Sequence, residues 1–442
     1  LFWELLTVGS LFLIWQGGTR ASFGAGLRYL LFHLGGGTSL LTGILLHWNA
    51  TGSLAIGPLT WEGPGTWLML LGMLTNAAAP VLHAWLPDAY PRASVFGTVF
   101  LSAFTTKAAV YILARTFPGL DLLVWLGAAM TLYGVTFAVL ANDMRRLLSY
   151  HIMSQVGYMV CAVGLGSALS LNGAAAHAFA HIFYKGLLMM SAGAVIHAVG
   201  TGRLSDLGSL ARPLRPVMIL MLVGAFSIAG VPLFNGFVSK ALVISAAAYE
   251  NRPVLELILL VASMGTFLSV GLKMPWLAFA PRAEPGGAPV SRPVPRSMYV
   301  AMGAAALICL VTGLFPDLIY ARLPFEMKYA PYTPDHVVGT LQLLAGTALG
   351  FWLMRGLLGR AALITRDIDT LYRGPVQRIM STAGAVLERG GEVAGRLVNI
   401  LLRDVDTIAA YARTRRPTIP GQAMLVFLVV TLAAILVFAA QA

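Results

Sequence analysis

Ionisable side chains in the middle of apolar, helix-length runs are what most limits the folds open to this chain. Glu4, Lys107, the trio His177, His181 and Lys185, and Lys240 all occupy such positions. A charge at the centre of a bilayer costs roughly 2.5 to 3.5 kcal/mol on insertion scales. Several of them kept in one chain point to an ion or proton path. Of 442 residues, 58% are hydrophobic and 11% charged, whereas about a quarter of a soluble domain is charged. Too little polar surface remains to cover a globule. The chain therefore reads as an all-α polytopic membrane protein.

Hydropathy marks about twelve spanning runs: 1–15, 29–48, 66–86, 95–115, 121–141, 147–169, 173–199, 216–249, 254–279, 298–319, 335–355 and 420–440. Most approach the roughly 20 residues that cross about 30 Å of hydrocarbon. The first is short and begins at Leu1, so further residues are expected before it; no signal peptide is recognisable. Run 216–249 is too long for one span and holds Pro232 just after Ala229-Gly230, which predicts a helix broken in mid-membrane. Run 173–199 is also overlong, with Gly173 and Gly186 able to loosen it. Two broken helices are thus expected. At such breaks freed backbone groups can face a wet cavity.

The net charge is +12, but its placement argues against nucleic acid as a partner. Counting loops after the first run, the odd ones hold Arg20, Arg28, Arg92, Arg145, Arg146, Arg203, Arg212, Arg215, Arg282, Arg292 and Arg296. The even ones hold only Arg115, Arg252, Arg322 and Lys328, a ratio of 11 to 4. By the positive-inside rule the odd loops are cytoplasmic and Leu1 lies outside, which fits a multi-pass protein of the inner (plasma) membrane. Cys161 and Cys309 lie inside spans and form no ligand motif, so neither a metal nor a cofactor is expected.

Three regions follow: a transmembrane domain over 1–355, an amphipathic segment over 356–418 and an anchor span over 419–442. Within the segment, Ile364, Ile368, Leu371, Val376 and Ile379 recur at helical spacing. Arg366, Asp369, Arg373 and Arg378 fill the other positions. That pattern suits a helix lying on the lipid surface or a strap across neighbouring helices, and it falls on the cytoplasmic side.

His177, His181 and Lys185 stand at i, i+4 and i+8 in "HAFAHIFYKG", which aligns three protonatable groups on one helix face about 6 Å apart. Neutral imidazole both donates and accepts, so the row can relay protons; the alternative is a structural row bonded to backbone. Lys240, beyond the Pro232 break, could satisfy loose carbonyls, snorkel to an interface or carry protons. Lys107 sits mid-span with the same choices. Glu4 needs a cationic or hydrogen-bonding partner, or a proton. Lys273, His33, His47 and His197 lie towards span ends, where interfacial placement is expected. The Gly35–Gly37 run has no strand–turn–helix context, which argues against a phosphate loop.

The stretches "FWELLTVGS", "HAWLPDAYPRASVFGTVFLSAFTTKAAVY", "DMRRLLSYHIMSQVGYM", "HAFAHIFYKGLLMMSAGAVIH" and "FSIAGVPLFNGFVSK" cover most of residues 1–275. In this order the chain resembles the antiporter-like membrane subunits shared by Mrp-type cation/proton antiporters and respiratory complex I, the D-type subunits of the Mrp antiporters in particular. The resemblance implies two inverted helix repeats, a mid-membrane chain of charges and about four helices before Leu1. It assigns Glu4 to the family's glutamate, Lys107 to a first-repeat lysine, His177, His181 and Lys185 to the central relay, and Lys240 to the broken-helix position. It likens the C-terminal segment to a lateral helix followed by an anchor. One position departs: where the family usually has a lysine paired with the glutamate, this chain has Asn76. Either Lys107 partners Glu4 instead, or Glu4 is more often protonated.

The expectation is a non-enzymatic, proton-translocating subunit of a multi-subunit Na+/H+ antiporter, set in lipid among other membrane subunits. Two alternatives stand beside it: the membrane arm of a redox-driven pump, and a scaffold that transports nothing.

Overall fold

A computed structural model describes residues 2–59, 63–281, 288–356 and 367. The expected amphipathic segment, apart from Gly356 and Asp367, and the expected anchor span lie outside the described residues. The described chain is helical throughout: α1 (Phe2–Trp15), α2 (Arg20–Thr51), α3 (Pro64–Asn76), α4 (Trp85–Ala89), α5 (Val95–Thr116), α6 (Asp121–Leu140), α7 (Met144–Leu165) and α8 (Ala168–Val199) come first. Then follow α9 (Arg215–Ala229), α10 (Asn235–Tyr249), α11 (Pro253–Thr266), a π-helical stretch (Phe267–Lys273), α12 (Met274–Phe279), α13 (Arg296–Leu314), α14 (Asp317–Tyr320) and α15 (Pro334–Met354). Seven of these spans are long and apolar enough to cross a membrane.

Short polar caps start five of the described helices. Thr19, Ser94, Asp143, Ser167 and Thr333 each accept a backbone N–H from the first turn of the helix they precede, satisfying donors that lipid cannot. Loop-to-loop bonds then sort the ends onto two faces. Ser22 bonds Arg92, Arg145 bonds Ala93, Asp143 bridges to Arg203, and Ser209 bonds Ala280 on one face. Leu59 with Thr116, Gly119 with Val163, Ser167 with Glu250 and Asn172 with Phe325 share the other. The first is the arginine-rich face, so the alternation read from sequence holds.

Two helices are broken. The predicted break lies between α9 and α10, where Gly230 caps α9 at φ +80° and Leu233 takes φ +79°. The second is not in α8, which runs unbroken for 32 residues past Gly173 and Gly186. It lies between α3 and α4, inside run 66–86, where Ala78 (φ +59°) and Val81 (φ +72°) adopt the left-handed region. Three of the five non-glycine residues with positive φ therefore sit in the two breaks. Such backbone costs of order 1–3 kcal/mol per residue and persists only where neighbours enforce it.

The order helix, 32-residue helix, broken helix, helix occurs twice: α1, α2, α3/α4, α5 and then α7, α8, α9/α10, α11–α12. The first set starts on the face opposite the arginines and the second on the arginine face, which makes the repeats inverted. At the α6–α7 seam, Gly127 and Gly134 face Gly157 and Gly164 at matching seven-residue spacing. A Cβ on any of the four would strike backbone of the other helix. Without a hydrophobic force between helices in lipid, this close approach supplies the packing energy.

Candidate functional site

The six residues singled out from sequence fall into two groups. His177, His181 and Lys185 on α8 are fully buried, and Lys240 on α10 is 3% exposed. His177 is tied to both neighbouring helices. Its Nδ1 lies 3.1 Å from Ser239 Oγ of α10, and its Nε2 3.2 Å from Gln155 Oε1 of α7. The Tyr184 hydroxyl also points to that Gln155 oxygen, at 3.4 Å. Ser239 precedes Lys240, so one hydroxyl joins α8 to the broken helix. Lys185 Nζ donates a long bond of 3.4 Å to Leu148 O.

Lys240 caps the break. Its Nζ donates to Ile228 O at 2.8 Å and to Ser263 Oγ at 3.3 Å, and it stands over the Tyr158 ring at 5.2 Å. Ile228 O is one of the last carbonyls of α9, which have no partner within their helix; a cation there also meets the negative end of the helix dipole. Beside Lys240 a cavity of about 290 Å³ reaches towards the ends of α10, α11 and α15, with Ser263, Glu256, Asp335 and His336 in its lining. Those ends share the face opposite the arginines.

Lys107 and Glu4 are not brought together. Lys107 Nζ turns back to Ser102 O at 2.5 Å and Thr106 Oγ1 at 3.2 Å on its own helix. Half-buried Glu4 rests on Gly37, where a Cβ would overlap its carboxylate, and its Oε2 has no hydrogen-bond partner among the described residues. Asn76 ends α3, is 2% exposed and leaves its Oδ1 without one. Of the two options left open for Glu4, a Lys107 pair is not formed. Among the described residues Lys107, Lys185 and Lys240 join no ion pair.

Two expectations at span ends are corrected. His33 is 1% exposed, wedged between the rings of Tyr29 and Trp85. Lys273 is 7% exposed and caps α6 through Val139 O and Ala141 O rather than reaching for water. The glycine run has a purpose after all: Gly36 and Gly37 let α2 close on Thr75 and Glu4.

Reading from sequence missed α7. His151 and Gln155 stand at i and i+4 on that helix, both fully buried against α8 and its neighbours. Both lie in the stretch "SYHIMSQVGY", where polar residues four apart in an apolar run were the available signal. Also missed was Asp367, 2% exposed, which accepts from the hydroxyls of Tyr133 and Tyr150 and lies 3.3 Å from His83 Nε2.

Two inverted, broken-helix repeats that bury lysines and histidines define an antiporter-like polytopic membrane subunit. Residues 1–269 match the family model described as "NADH:quinone oxidoreductase/Mrp antiporter, TM", and the chain belongs to that family. It is 30% identical over 353 residues to the N subunit of NADH-quinone oxidoreductase from Desulforudis audaxviator, covering 73% of this chain and 70% of that one. With the D subunit of the Na(+)/H(+) antiporter of Alkalihalophilus pseudofirmus it shares 29% over 290 residues, 61% of this chain and 58% of that protein. A chain in the structure of the Mrp complex from Dietzia sp. superposes with a TM-score of 0.67 at 24% identity, over 81% of this chain and 75% of that one. The likeness is one of fold.

Proposed function

We propose that this chain is the proton-translocating membrane subunit of a multi-subunit antiporter that exchanges H+ for a monovalent cation, Na+ in the first instance. Protons pass along Lys185, His181 and His177 on α8, cross by Ser239 to Lys240, and reach the far face through the cavity beside it. Lys107 feeds this row from the first repeat, and Glu4, in no ion pair among the described residues, holds the other end. The arginine face is cytoplasmic, so the cavity opens outside. One observation carries the reading: the α8 row is fully buried, has no ion-pair partner among the described residues, and ends at a lysine that lines a cavity.

The test is cation-dependent proton flux in vesicles carrying the assembled complex. Lys185→Ala is expected to abolish coupled flux while the complex still assembles; undiminished flux would defeat the assignment. The relation to a quinone oxidoreductase subunit supports a second reading, the membrane arm of a redox-driven pump. The subunits that co-purify with the chain decide between them. In either assembly neighbouring subunits or lipid cover α15, whose Leu349, Trp352 and Leu353 are more than half exposed.

A further inference from the structure

His151 on α7 belongs to none of the residues assigned above, and its hydrogen bonds fix what it can do. Its Nε2 lies 2.7 Å from Ser269 Oγ. That serine has a single hydroxyl proton, and its other neighbours are acceptors only: Gly265 O at 2.6 Å and Thr266 O at 3.3 Å. Two oxygens 2.6 Å apart repel unless a proton lies between them, so the hydroxyl donates to Gly265 O and its oxygen accepts from His151. Neutral His151 must then carry its proton on Nε2, which leaves the lone pair on Nδ1. Nδ1 is fully buried and has no partner among the described residues.

The setting repeats this bias. Ser154 Oγ and Gln155 Nε2 on α7, and both ring nitrogens of His181 on α8, are likewise buried without a partner among the described residues. His151 is within electrostatic reach of Lys185 and Lys240, and His181 is within reach of His151. Buried polar atoms of this kind are otherwise satisfied by ordered water. The serine that orients the imidazole comes from the π-helical stretch 267–273. Such widened turns are rare and concentrate at functional sites.

We infer that His151 is a proton-holding site beside the α8 row, set in its accepting tautomer by Ser269. This rests on the relay reading above and adds a residue to it. A proton enters at Nδ1 from the α8 side, giving an imidazolium that still donates to Ser269 from Nε2. It leaves again by Nδ1, because the carbonyls beyond Ser269 take no proton. His151 is thus a side store, not a link in a through-chain.

The test exploits shape. In His151→Gln the side-chain amide can keep the donor bond to Ser269 but offers no basic nitrogen. With the assembled complex in vesicles, His151→Gln is expected to lower coupled flux at saturating cation roughly a hundredfold, the lower end of the range for a lost acid–base group, with assembly unchanged. Ser269→Ala leaves the ring titratable but free to change tautomer and is expected to give a smaller loss. Wild-type flux in His151→Gln, beside a dead Lys185→Ala control, would overturn the store and leave the relay standing. An active Lys185→Ala control would overturn the relay itself. If His151→Gln fails to assemble, Ser269→Ala decides: wild-type flux and pH profile there would overturn the proposal.

Discussion

Asp367 offers the sharpest energetic test. A carboxylate 2% exposed accepts from Tyr150 Oη at 2.5 Å and from Tyr133, with His83 Nε2 at 3.3 Å from both its oxygens. The three partners come from α7, α6 and the break after α3, so one side chain ties three elements together. Bonds to a charged group contribute about 1.5–3 kcal/mol each, and a buried donor left unpaired costs about 1–3 kcal/mol. Asp367→Ala strands two hydroxyls and an imidazole nitrogen, which sums to about 3–6 kcal/mol after partial relaxation. Asp367→Asn keeps one acceptor and exchanges the other for a donor, so it should fall nearer the lower figure. A double-mutant cycle with Tyr150→Phe isolates one bond from the others. Unfolding in mixed micelles is the assay, and a coupling energy of about 1.5–3 kcal/mol is expected. A coupling below about 0.5 kcal/mol would show that the carboxylate does not hold these helices.

Three further outcomes are expected. Gly37→Ala places a methyl group where the Glu4 carboxylate lies; it should destabilise α1 against α2 by about 1–3 kcal/mol, as overpacking does, and Gly35→Ala, with open space around it, should not. Lys273→Ala uncaps α6 and should cost about 1–2 kcal/mol of stability in the same micelle assay while changing flux little; a large flux defect at unchanged stability would place Lys273 in the path. Ser263→Asp sets a carboxylate near the Lys240 ammonium and should hold its proton in place. Flux should fall well below that of Ser263→Ala, and equal flux in the two variants would contradict the role given to Lys240.

The membrane class, the alternation of faces and the α9/α10 break were legible because each has a linear signature: run length, arginine placement and a Gly-x-Pro interruption. The second break was not. Ala77, Ala78 and Ala79 precede Pro80 within an apolar run, and alanine is the best of helix formers; tertiary packing overrides that preference. The α8 row was legible through its four-residue spacing. His151 obeys the same rule, but its functional sense comes from Ser269, 118 residues away. Asp367 was hidden for the opposite reason: in an amphipathic, charge-rich segment one more aspartate looks solvated. Lys273 and His33 were misjudged because distance from a run's end says little once helices tilt and bend around each other.

The placement of bases and acids constrains how protons can move. Lys107, Lys185 and Lys240 have no ion-pair partner among the described residues. Of the carboxylates, Glu4 rests on Gly37, and Glu256 and Asp335 line the cavity that Lys240 also lines without pairing with it. A row of bases without acids gains net charge with each proton it takes. His177 and Lys185 are eight residues apart on one helix, about 12 Å, so charges on both repel by about 1.4 kcal/mol at an effective dielectric constant of about 20. That is about a tenfold change in occupancy. A membrane potential of about 100 mV contributes about 2.3 kcal/mol per charge that crosses, the same order. On the proposed relay, a proton arriving at one end of α8 would therefore displace one from the other, and the field would suffice to choose the direction. Salt bridges within the row would raise the cost of each transfer above both figures, which is a physical reason for the carboxylates to stand at the margins.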